Sequence, residues 1–223
     1  RGQIFAEQGS VELRVGDNVF TDANAEIIAA QGIVIRGDHV DNDTHCGTHM
    51  ILRGRLIAGA VVTPGSESGS NPVGTATPSL ASPVHLTQIF GNADADFFQF
   101  GDPTGIGGGT TQGDAGYIFI GSKTRVYGSA DATVSGTDVG NDGEDSFRVY
   151  YLQDAATRTS PVTASVVAEH TLTLDGQAGS DSYFIHTTGS NGVGDRNYII
   201  NLLDTGHADD GVAGLVVRRH FLL

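Results

Sequence analysis

Three stretches of this chain follow one pattern: a glycine, four residues, an aspartate, one residue, an aromatic, one residue, an apolar residue. The copies are Gly91-Asn92-Ala93-Asp94-Ala95-Asp96-Phe97-Phe98-Gln99-Phe100, then Gly140 to Val149, then Gly176 to Ile185. A turn rich in glycine, asparagine and aspartate that feeds a strand of alternating polar and apolar residues is the unit of a repetitive β-fold. The same unit gathers carboxylates at its turn, where a hard cation can sit.

Composition agrees with many short strands. Glycine supplies 32 of 223 residues, tryptophan is absent, and there are ten Phe and six Tyr. The net charge is −14, and the acid is mostly aspartate, 20 Asp against 6 Glu. Aspartate favours turns and local backbone hydrogen bonds where glutamate favours helices, so the acidity belongs to loops. One lysine (Lys123) and eleven scattered arginines make no basic stripe, which argues against nucleic acid and anionic lipid as partners. Cys46 is the lone cysteine, so an internal disulfide is excluded. Nor is there an apolar run of about 18 residues to cross a bilayer as a helix. Strand-like pattern at both ends (Ile4-Phe5 and Leu215 to Val217) makes the chain read as a piece of a longer polypeptide.

Residues 1–57 read as the first rungs. Val11-Glu12-Leu13-Arg14 recurs as Ile33-Val34-Ile35-Arg36, and more loosely as Met50-Ile51-Leu52-Arg53. Leu13 and Ile35 lie 22 residues apart, about one coil of a parallel β-helix. Residues 58–83 hold four of the six prolines and much Ser, Thr and Gly, and are expected to form a protruding loop or a linker. From 84 to 223 further rungs are expected. Strands are predicted at Leu86–Phe90, Tyr117–Ile120, Arg125–Tyr127, Phe147–Leu152, Thr171–Leu174, Tyr183–Ile185, Tyr198–Leu203 and Leu215–Val217, with helix or strand open for Val162–His170. The expected fold is all-β, a parallel β-helix or β-solenoid, with a pair of β-sandwiches as the runner-up.

The three decapeptides resemble single copies of the haemolysin-type calcium-binding nonapeptide of secreted repeats-in-toxin proteins, G-G-x-G-x-D-x-U-x with U a large apolar residue. The first glycine matches at Gly91, Gly140 and Gly176, and the third at Gly143 and Gly179, with Asp94 in its place in the first copy. The aspartate matches at Asp96, Asp145 and Asp181, and the apolar position at Phe98, Phe147 and Tyr183. The second glycine is replaced by Asn92, Asn141 and Gln177. The resemblance implies calcium shared between coils, and makes Asp94, Asp96, Asp142, Asp145 and Asp181 the candidate ligands. The copies stand 49 and 36 residues apart, and the second interval equals two coils of about 18. On the residues alone a second role is open: the aspartates cap backbone amides. The glycine-punctuated strands also look like those of large secreted bacterial exoproteins and adhesins.

Other candidates are weaker. His39, His45, Cys46 and His49, with Asp41 and Asp43, collect transition-metal ligand types but lack the paired spacing of a structural zinc site. Arg36-Gly37-Asp38 spells the integrin tripeptide, a cheap match. Gly116 to Thr124 mimics a phosphate loop but is strand-like in the middle, so it is set aside. A lyase or hydrolase needs convergent carboxylates and a basic group, for which Arg125, Arg148 and Arg196 are available. A glycan-binding module would use exposed aromatics such as Tyr117, Tyr127, Tyr150 or Tyr151.

The expectation is therefore a non-catalytic, secreted or cell-surface structural or adhesive repeat segment. It would be calcium-stabilised and self-assembling, or in contact with a glycan or host surface. A β-helix carbohydrate-active enzyme and a calcium-dependent glycan-binding module are the alternatives.

Overall fold

The computed structural model describes residues 2–40, 46–63, 75–78, 86–103, 118–120, 122–129, 143–150, 152–154, 171–186, 199–203 and 205. Among these residues there are eighteen strands and no helix. The first three are β1 (Gln3–Ala6), β2 (Val11–Arg14) and β3 (Val19–Phe20), followed by β4 (Glu26–Ala29), β5 (Ile33–Arg36) and β6 (His49–Leu52). Next come β7 (Gly54–Ala58), the strands β8 (Ala60–Thr63) and β9 (Thr75–Pro78), β10 (Leu86–Asn92) and β11 (Phe97–Phe100). Then β12 (Ile118–Ile120), β13 (Lys123–Ser129) and β14 (Ser146–Val149) precede β15 (Leu152–Asp154), β16 (Thr171–Asp175), β17 (Ser182–Ile185) and β18 (Ile199–Leu203).

Three sheets take β1 to β7 and β10 to β17 in rotation, and β18 joins the second. The first has the order β1-β4-β7-β12-β15, the second β18-β16-β13-β10-β5-β2, and the third β17-β14-β11-β6-β3. Every pairing within them is parallel. Each passage of the chain through first, second and third sheet is one round. The parallel ladders exclude the β-sandwich pair, which is built from antiparallel sheets.

The strands alternate because one face of each sheet looks inward. The inward residues stack in columns: Val19, Met50, Phe98, Phe147 and Tyr183 in the third sheet, and Leu13, Ile35, Ile89, Val126, Leu174 and Leu202 in the second. With Ile27, Leu56 and Ile120 of the first sheet they form one core shared by all three. Phe98, Phe147 and Tyr183 stack nearly face to face, with centroids 5.0 Å apart at each step. The Tyr183 hydroxyl accepts from Gly176 N–H and donates to the carbonyl of Leu203, so its polar tip costs nothing in the core.

Several expectations are met in register. Leu13 lies opposite Ile35 and Arg14 opposite Arg36, and Phe98, Phe147 and Tyr183 are successive neighbours. Others are corrected. Met50 to Leu52 repeats the look of β5 but belongs to the third sheet. The expected strand Phe147–Leu152 is two strands in different sheets, broken at Tyr150. The interval of 36 residues from Asp145 to Asp181 is one round, as is the 49-residue interval before it. Within 58–83, β8 and β9 form an antiparallel pair. The strands on either side of it share sheets, since β10 pairs with β5 and β12 with β7. Val162–His170 and Leu215–Val217 lie outside the described residues.

Candidate functional site

The repeated aspartates meet on one interior line at the corner between the second and third sheets. Register puts Thr48, Asp96, Asp145 and Asp181 at the same point of successive rounds, one residue before β6, β11, β14 and β17. Asp96, Asp145 and Asp181 are 2%, 1% and 2% exposed. Each carboxylate reaches back one round. Thr48 N–H donates to Oδ1 of Asp96 (2.5 Å), Asp96 N–H to Oδ1 of Asp145 (2.8 Å), and Asp145 N–H to Oδ1 of Asp181 (3.0 Å). The carbonyls of Thr48, Asp96 and Asp145 accept from Phe97, Ser146 and Ser182, so each round satisfies both backbone groups of the one before. Each bond gives a buried carboxylate oxygen the backbone donor that a buried polar atom requires.

A second column makes room for the first. Gly37, Gly91, Gly128 and Gly176 follow one another in register at the ends of the second-sheet strands. A Cβ would stand 1.6 Å from Oδ2 of Asp96 at Gly91, 1.6 Å from Oδ2 of Asp145 at Gly128, and 1.8 Å from Oδ2 of Asp181 at Gly176. At Gly37 it would meet the Thr48 side chain at 2.4 Å. Glycine and aspartate are thus two halves of one contact. In the second copy the partner glycine is Gly128; Gly140, which the spacing selects, lies outside the described residues. Gly128 is the site residue that spacing misses, because twelve more residues separate it from Asp145 than separate Gly91 from Asp96.

The replaced second glycines also have a purpose. Asn92 and Gln177 adopt φ of 88° and 66°, the left-handed region. Asn92 Nδ2 donates to the carbonyl of Gly37, and Gln177 Oε1 accepts from Ser129 N–H (3.0 Å). Their amides tie neighbouring rounds in a way glycine cannot.

Asp94 sits apart from the line, at φ 64°, and its carbonyl accepts from Gly143 N–H (3.1 Å). Asp142 lies outside the described residues. Calcium takes six to eight oxygens. Here Oδ1 of each interior aspartate already holds an amide and Oδ2 lies against a glycine. Among the described residues no three His, Cys, Asp or Glu side chains gather as a metal site. Among the described residues, Oδ1 of Asp96, Asp145 and Asp181 serves as a cap on a backbone amide of the preceding round.

The remaining candidates disperse. Cys46 and His49 are exposed, and the His49 ring tilts against Phe97 at 5.4 Å. His39 donates its backbone N–H to Val15, while Asp41, Asp43 and His45 lie outside the described residues. In the integrin-like tripeptide, Arg36 and Asp38 are buried; Arg36 lies over the Phe90 ring at 4.7 Å and pairs with Glu12 at 3.3 Å. Arg125 and Arg148 stand on different sheets, and Arg196 is outside the described residues. Tyr127 stacks on Phe90 at 4.9 Å and Tyr150 is buried; Tyr117 and Tyr151 are outside the described residues. Comparison of the chain with family models, with curated proteins and with solved structures finds no match in any of the three.

Proposed function

We propose that this chain is a three-sided parallel β-solenoid segment, secreted or displayed on a bacterial cell surface, that serves a large exoprotein as a non-catalytic structural or adhesive element. The observation that carries the reading is the rotation of the chain through three parallel sheets with like residues stacked from round to round. The polar chemistry of the repeat supports it as well: interior carboxylates and side-chain amides are spent on joining rounds. Such a stack is stabilised chiefly by nearest-neighbour contacts and suits an elongated spacer or display surface. Self-association is proposed as a corollary of the repeat, since unpaired strand edges recruit further strands.

The test combines thermal melting of metal-stripped protein, with calcium or magnesium added, and assays for product release from a panel of polysaccharides. Capped turns give the same melting temperature with either ion, and a structural segment releases no product. A rise specific to calcium would make cation binding part of the repeat. Steady release of sugar fragments would replace the structural reading with a carbohydrate-active enzyme. Antibodies against the chain should stain unpermeabilised cells of the source organism; staining only after permeabilisation would sink the surface assignment.

A further inference from the structure

The outward faces of the three sheets differ. Those of the first and second contain buried residues, among them Glu26, Ile28 and Ile57 on one and Arg36, Phe90 and Asp175 on the other. On the third sheet none of the nine described outward positions is buried. They form two rows across the strands. One runs His49, Phe97, Ser146, Ser182; the other runs Phe20, Ile51, Gln99, Arg148, Phe184. Neither row contains a carboxylate, in a chain of net charge −14. The neighbouring acid Asp102 is paired with Arg53 at 2.9 Å, and Glu144 lies beyond the strand end.

From this face we infer a binding surface for an acidic glycan, a chain of uronic acid residues laid across the five strands. This rests on the adhesive part of the function proposed above and gives it a location and a ligand class. Three features carry it. Arg148 is exposed yet steadied, its guanidinium lying over the Phe97 ring at 5.0 Å, so a carboxylate can be met by a prepositioned fork of donors. Phe184 is its neighbour in the same row and Phe20, 64% exposed, ends that row three strands away, so aromatic surface for the apolar faces of sugars lies at both ends of the row. Ser146, Ser182 and His49 add hydroxyl and imidazole groups for sugar hydroxyls. Strands repeat at about 4.8 Å, close to the length of one sugar ring in an extended chain. The apolar groups are interrupted by polar ones at almost every step, unlike the continuous apolar centre of a protein interface.

The experiment is calorimetric titration at low salt with polygalacturonate oligosaccharides, with a neutral glucan and poly-L-glutamate as controls. The wild-type chain should bind the polyuronate and neither control. Arg148→Gln should weaken binding by about tenfold or more, the loss of one charge-assisted contact, with melting unchanged. Arg125→Gln, which removes an exposed arginine from the second sheet, should leave binding as it was. Absence of binding by the wild type, equal binding of poly-L-glutamate or the glucan, or equal loss in both variants would overturn the site. Depolymerisation of the polyuronate would instead overturn the non-catalytic reading and leave the binding face standing.

Discussion

A methyl group is the smallest possible probe of the contact between Gly128 and Asp145. Alanine at 128 would place Cβ 1.6 Å from Oδ2 and 2.7 Å from the carbonyl of Gly176. The carboxylate cannot retreat without disturbing the bond its Oδ1 accepts from Asp96 N–H. Gly128→Ala should therefore cost about 2–4 kcal/mol in chemical denaturation, at the upper end for overpacking plus a lost buried hydrogen bond. Gly16→Ala, with nothing within 4 Å of the new carbon, should stay within about 0.5 kcal/mol of wild type. Outside the core, Arg14 and then Arg36 hold the Glu12 carboxyl below the usual glutamate range. A lowered value means that this pair stabilises the fold above the ordinary glutamate pKa and stops doing so as pH falls through the folded-state value. Glu12 is 42% exposed, so the effect is a few tenths of a kcal/mol. Melting temperature followed from neutral to acid pH should fall slightly less steeply in Glu12→Gln than in wild type.

At the scale of strands, sequence and structure part company in an instructive way. Phe98, Phe147 and Tyr183 were legible because the glycine, the aspartate and the aromatic keep fixed offsets within a strand and its turn. Leu13 over Ile35 was legible because that round carries little insertion. Gly128 was not, since inserted residues fall between it and its aspartate and spacing sees only contour length. Met50 to Leu52 imitated β5 because local composition records that a strand exists, while the sheet it joins is decided by stacking. Round length varies for the same reason: 36 and 49 residues close over the same corners when the excess leaves the sheets. The segment around β8 and β9 makes this testable. Ala29 and Ile33 are joined by Ala30, Gln31 and Gly32, and the next round spans the same gap from Ala58 to Thr87. Replacing residues 59–86 by Ala-Gln-Gly should leave the β-type circular dichroism and a cooperative melt in place. A chain that loses both would show that the insertion helps hold the sheets.

For the whole molecule, the charge and the fold pull in opposite directions. A net charge of −14 repels itself in the compact state, and screening weakens that repulsion. Melting temperature should rise with sodium chloride and equally with choline chloride at matched ionic strength; a rise with one cation alone would mean specific binding instead. The acidity, the absence of a basic stripe and the all-β composition were all visible from the residues. The open outward face of the third sheet was not, because exposure depends on which faces the rest of the chain covers. One property of the interior line has a directional result. Thr48, Asp96 and Asp145 each have their amide closed by the carboxylate one round later, never one round earlier. A polypeptide delivered N-terminus first therefore gains its latches in the order of its emergence, each new turn clicking shut the last, so the stack advances like a ratchet and resists slipping back.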